Sequence, residues 1–159
     1  MDPLMDNLLN DHGARNPRSG RGGQSDLDNS ASQVIIKNIS DWQAINERII
    51  KINLNLKGSK ITIIGTYGPN DDARLEEKTK YYEVLDETIS QTGQTRETII
   101  LGDLNARTDR KINDKTIGPY GENNTNDNGS NLIEMCKYNS LRIMNGYFKH
   151  KEIHTYTWT

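Results

Sequence analysis

Cysteine is almost missing: Cys136 is alone among 159 residues, which excludes an internal disulfide and a thiolate zinc cage. Proline occurs four times, phenylalanine once, and aromatics make up only 6% of the chain. No stretch approaches the ~20 consecutive apolar residues of a membrane-spanning helix, so a protein that spans a membrane as helices is excluded. Met1 to Pro17 holds no basic segment followed by a long apolar run, so no secretory signal peptide is read there. Charge of one sign is missing too: 20 Lys and Arg against 22 Asp and Glu leave a net −2. A chain drawn to nucleic acid by bulk charge carries a basic excess. Any nucleic-acid role here must come from a local patch or a catalytic site. With 33% hydrophobic residues, the expectation is a soluble intracellular chain with a thin core.

What is present divides unevenly. Residues 1–33 hold Arg15, Arg18 and Arg21 against Asp2, Asp6, Asp11, Asp26 and Asp28, and so carry the whole net charge. Their middle, Gly13 to Ser25, is rich in Gly, Arg, Ser and Asn, and apolar residues are sparse. Such a segment buries too little apolar surface to offset its ordering entropy, and a disordered tail is expected. The character changes at Val34. Ile50, Ile52, Leu54 and Leu56 alternate with Lys51, Asn53, Asn55 and Lys57, the period of a half-buried strand. Gly58-Ser59 offers a turn, and Ile61 to Ile64 begins a second strand, giving an antiparallel hairpin.

Tyr67-Gly68-Pro69-Asn70-Asp71 is a turn cluster at the end of that hairpin. Leu75, Tyr82, Leu85 and Ile89 then fall at helical spacing, with Glu76, Glu77, Lys78 and Lys80 outside, a cap at Asp71 or Asp72, and a stop at Gly93. Thr98 to Leu101 is a continuous apolar run, expected as a strand buried on both faces. Thr108 to Asn131 reads as a long surface loop, Leu132 to Cys136 as a short helix, and Leu141 to Met144 as a strand. Ile153 to Trp158 is β-prone.

Two places can carry chemistry. Asp103 and Asn105 follow the end of a buried strand, where ligands bind in α/β folds. Asp103 can accept a proton or hold a cation, and the Asn105 amide can donate to a phosphate oxygen without adding charge. The alternative for both is an Asx turn, in which the side chains bond only local backbone. Tyr67 ends another strand; on its own it reads as a rim aromatic with a wet hydroxyl. His150 and His154 sit in a turn-to-strand region without the glutamate of a zinc helix, and read as solvated histidines. Arg107 and Arg110 are either DNA-backbone contacts or plain surface charges.

Gly102-Asp103-Leu104-Asn105-Ala106 resembles the G-D-x-N-A signature of the endonuclease/exonuclease/phosphatase superfamily. Tyr67-Gly68-Pro69-Asn70 resembles its upstream Y-x-P-N element, and Tyr156-Thr157-Trp158 its later Y-T-W element. The chain is most similar to endonuclease domains of non-LTR retrotransposons and to craniofacial development protein 2-like sequences. The strings Asn46 to Ile50, Gly118 to Gly121, Asn128-Gly129 to Cys136 and Phe148 to Lys151 match strings that recur in that branch. The resemblance covers residues 34–159.

The resemblance implies an α/β fold, a DNase I-like two-sheet sandwich flanked by helices, and a magnesium-dependent site that cleaves phosphodiesters in DNA. By position, Asp103 would orient or deprotonate the attacking water and touch the metal. Asn105 and Tyr67 would hydrogen-bond the scissile phosphate. A retroelement enzyme of this kind nicks target DNA, and it would be nuclear if active on chromosomal DNA. Two family elements have no counterpart here: the glutamate that is the metal's main ligand, and the terminal S-D-H element with its histidine. The expectation is therefore a domain truncated at both ends, with impaired hydrolysis. A non-catalytic fragment is the alternative. A superfamily phosphatase or phosphodiesterase acting on lipid or inositol phosphates is a third reading.

Overall fold

The structure, a computed structural model, describes residues 33–111 and 114–149. The chain divides into two units, Met1–Ile36 and Lys37–Thr159. In the first, residues 33–36 are described and are helical. The remainder of the expected tail lies outside the described residues, as do Ile153 to Trp158, the Y-T-W element, His150 and His154.

The second unit is mixed α/β. Its described elements run β1 (Ile39–Ala44), β2 (Ile49–Leu56), β3 (Ser59–Tyr67), α1 (Leu75–Ser90), β4 (Glu97–Asp103) and α2 (Asp127–Tyr138), then a short 3₁₀ turn at Met144–Gly146. Among the described residues there is one four-stranded sheet in the order β1-β2-β3-β4. β1, β2 and β3 pair antiparallel, while β4 joins β3 in parallel. The hairpin expected at Gly58-Ser59 is the β2–β3 turn, where Gly58 has a φ of 89°. A parallel neighbour needs a crossover, and α1 supplies it.

Cross-strand partners share a face. One face carries Ile49, Lys51, Thr62, Ile64 and Thr66, each less than 10% exposed. Against it pack Tyr81, Tyr82, Leu85 and Ile89 of α1, joined by Leu132, Met135 and Cys136 of α2. Thr66 Oγ1 and the Tyr81 hydroxyl share a hydrogen bond of 2.9 Å, which meets the polar groups of both. Burial in β2 does not keep to one face: Ile49 and Lys51 are buried on this side, and Leu54 is buried on the other. Ile50, Ile52, Ile63, Ile99 and Leu101 share the other face by register.

Several expectations change. Ile99 and Leu101 are 41% and 54% exposed, so β4 is covered on one face only. The reason is its place at the sheet edge with helices on one side. Lys78 lies inside: it is 3% exposed, and its Nζ donates to the Asp71 carbonyl at 2.6 Å. Neither Asp71 nor Asp72 caps α1, whose N-cap is Arg74 with no side-chain cap. Leu75, at the first helical position, is exposed. The loop after β4 ends sooner than expected, because Asn126 caps α2 by accepting from the Gly129 N–H. Leu141 to Met144 forms no strand: Ser140 has a φ of 56°, and Ile143 N–H donates singly to the Thr116 carbonyl. The chain then turns 3₁₀ in place of a ladder. Cys136 is buried, as a small apolar residue would be, and burial pushes its thiol up to about 11.

Candidate functional site

The C-terminal ends of β3 and β4 bring the two sequence-predicted places together. Tyr67 and Asp103 are direct register partners at the last rung of the parallel pair. Strands in a sheet lie ~4.8 Å apart, so residues distant in sequence share one rim. Both are exposed, Tyr67 at 52%. Gly102 makes the exit from β4 possible. Its φ is 142°, and a Cβ there would stand 1.8 Å from the Thr66 carbonyl oxygen.

The two outgoing loops are stitched directly. Gly68 N–H donates to the Asp103 carbonyl at 2.7 Å. Asn105 Nδ2 donates to the Gly68 carbonyl at 3.0 Å. Asn105 N–H donates to Asp103 Oδ1 at 2.9 Å, which is the Asx turn named as the alternative. Asn105 itself sits at a φ of 47°, a left-handed conformation that Asn tolerates better than most residues. Gly68 is pressed against the second loop: a Cβ would meet the Leu104 carbonyl oxygen at 2.5 Å.

The Asx turn occupies one carboxylate oxygen of Asp103, and the bond to the Gly68 carbonyl occupies one side-chain amide hydrogen of Asn105. Among the described residues, Asp103 Oδ2 accepts no hydrogen bond, and the second Asn105 amide hydrogen has no acceptor. Local bonding therefore coexists with one acceptor and one donor that bond to no described residue. A hydrated magnesium ion needs only one or two carboxylates plus substrate oxygens. The exposed Asp103 carboxylate offers one such ligand. Among the described residues no group of three His, Cys, Asp or Glu is placed to cage a metal.

Sequence reasoning missed the layer beneath. Asn128 is fully buried, and its Nδ2 donates to the Pro69 carbonyl at 2.8 Å and the Asn105 carbonyl at 3.2 Å. Asn126 Nδ2 reaches the Asn105 carbonyl and Asp71 Oδ1, each at 3.0 Å. Lys78 Nζ stands 3.4 Å from Asp127 Oδ2 and 4.0 Å from Asp71 Oδ1. The signal was the Asn128-Gly129 string, to which the sequence reading attached a resemblance but no role. Arg107 lies 3.9 Å from Glu122 in a mostly exposed pair, and Arg110 N–H donates to the Glu122 carbonyl. No family model, curated protein or solved structure matches the chain.

Proposed function

We propose that the rim formed by Tyr67, Asp103 and Asn105 is the phosphodiester site of a DNA endonuclease of the endonuclease/exonuclease/phosphatase type. The observation that supports this most is the Tyr67–Asp103 register pair, which joins two separately recognised motif elements at one strand end. In this reading, water attacks phosphorus and gives its proton to Asp103 Oδ2. The bond from phosphorus to the 3′ oxygen breaks, and the departing oxygen takes a proton from solvent, leaving a 3′ hydroxyl opposite a 5′ phosphate. Asn105 donates its free amide hydrogen to the phosphate oxygen on which charge builds, and the Tyr67 hydroxyl supports the same group. Asp103 would help to hold a magnesium ion, which would supply charge neutralisation.

The two-sheet sandwich belongs to this proposal. The face that holds Ile50, Ile52, Ile63, Ile99 and Leu101 is apolar at each of those positions, and Trp42 beside Ile52 is 37% exposed. A sheet with an apolar second face is completed by a second layer. A non-catalytic role is the second reading, and it is favoured by the Asx turn, which gives Asp103 and Asn105 a structural purpose.

Supercoiled plasmid decides between them. The full chain in magnesium is expected to convert it slowly to open circles, with no conversion in EDTA, while inositol phosphates release no phosphate. Asn105→Ala is expected to slow nicking about 100-fold. Unchanged plasmid after prolonged incubation at high protein concentration would establish the non-catalytic reading. Phosphate release from inositol phosphates without nicking would establish the phosphatase one.

A further inference from the structure

Beyond the last rung of β3 and β4, the loops that carry the candidate site leave the sheet. The ladder no longer holds them, yet Asn105 must be aimed from one loop while Tyr67 is fixed at the start of the other. The start of α2 reaches both. Asn128 has no exposed surface, and each hydrogen of its amide goes to a different loop: one to the Pro69 carbonyl after β3, one to the Asn105 carbonyl after β4. Among the described residues its Oδ1 accepts nothing despite being buried. A buried amide that leaves its acceptor unmet is badly chosen for stability alone. Its worth lies in its two donors.

Asn126 completes the arrangement. Its Oδ1 accepts from Gly129 N–H at 2.8 Å and Arg107 N–H at 2.9 Å, which caps the helix and pins the loop after β4. Its Nδ2 donates to Asn105 O and to Asp71 Oδ1. The Asn105 carbonyl thus has both lone pairs engaged by these two amides, and the peptide of a residue at positive φ is held in one orientation. The helix is itself seated against the site. The Tyr82 hydroxyl donates to the Asn128 carbonyl at 2.8 Å, and a Cβ on Gly129 would stand 1.8 Å from the Arg107 carbonyl oxygen.

We propose that Asn126 and Asn128 are positioning residues: through the Asn105 and Pro69 carbonyls they hold the two site loops in register, so that the Asn105 amide and Asp103 carboxylate converge on one phosphate. The catalytic consequence rests on the hydrolase reading above; the positioning does not. A fixed orientation matters because a displacement of ~1 Å costs on the order of 100-fold in rate.

Two variants test this. Asn126→Asp keeps the oxygen that caps α2, since Asp caps helices as well as Asn does. It removes the donor to Asn105 and sets a second carboxylate beside Asp71. Asn128→Ala removes both donors of the other amide. Each is compared with the full-length parent in plasmid nicking at saturating and sub-saturating DNA. In parallel, ¹⁵N–¹H spectra record the Asn105 side-chain amide and the exchange of the Gly68 amide proton. The expected result is a rate about 100-fold lower at saturation with the half-saturating DNA concentration unchanged. The Asn105 side-chain resonance moves, Gly68 exchange quickens, and the dispersion of the core resonances is retained. Unaltered Asn105 and Gly68 signals in Asn126→Asp would overturn the proposal, whatever happens to Asn128→Ala. Should the parent fail to nick, the hydrolase reading falls, and the resonances alone decide the positioning.

Discussion

Gly102→Ala destabilises the protein by about 3–5 kcal/mol, in the range where marginal domains stop folding. The cause is local and has two parts. A φ of 142° is open to glycine and nearly closed to L side chains. The added Cβ would also fall 1.8 Å from Thr66 O and 2.8 Å from Thr66 C, which are backbone atoms of the neighbouring strand. Neither can swing aside as a side chain would. Relief requires β4 to part from β3 at its last rungs, where Thr66 pairs with Gly102 and Tyr67 with Asp103. Urea unfolding followed by circular dichroism measures the loss. Gly93→Ala is the control: its φ is 75° but no atom lies within 4 Å of a new Cβ, so only the conformational cost is incurred.

If the chain is the proposed hydrolase, Asp103→Asn is expected to lower plasmid nicking about 1000-fold, to the level of buffer alone, while stability changes by less than about 0.5 kcal/mol. Asn at this position keeps an oxygen to receive the Asn105 N–H, so the turn that now spans 2.9 Å survives. What disappears is a base able to take a proton from water. Rate and stability therefore separate, and that separation tells a reacting carboxylate from a turn-forming one. A nicking rate that survived the change would assign Asp103 to the turn alone.

How much was legible differs by element. The β2–β3 hairpin, α1 and α2 follow from short-range signals: alternation from Ile50 to Leu56, a glycine turn, and apolar residues at helical spacing. The strand ends at Tyr67 and Asp103 were legible because turn residues punctuate them. Burial was less so. Lys78 resembled a solvated charge until its Nζ found the Asp71 carbonyl, a contact set by a loop seven residues earlier. β4 looked doubly buried because Thr98 to Leu101 is apolar throughout, yet composition does not say how many layers cover a strand. Leu141 to Met144 has strand-forming residues, but a strand needs a partner edge, and a positive φ at Ser140 turns the chain away from one. Asn126 and Asn128 were invisible as positioning groups because their partners, the acceptors Asp71, Pro69 and Asn105 and the donor Arg107 N–H, are scattered along the chain. Only the crossover of α1 and the return through the loop after β4 bring them to one place.

Titration of the ¹⁵N-labelled chain with a short DNA duplex in magnesium most directly tests whether the β3–β4 strand end is the phosphodiester site, because it reports location without requiring turnover. The account predicts shifts centred on Tyr67, Gly68 and Asp103 to Ala106, with the Asn105 side-chain amide moving furthest and the outer face of α1 around Leu75 and Glu83 unmoved. Shifts confined to another surface, or none at DNA concentrations up to about 1 mM, where even non-specific binding saturates at physiological salt, would contradict it.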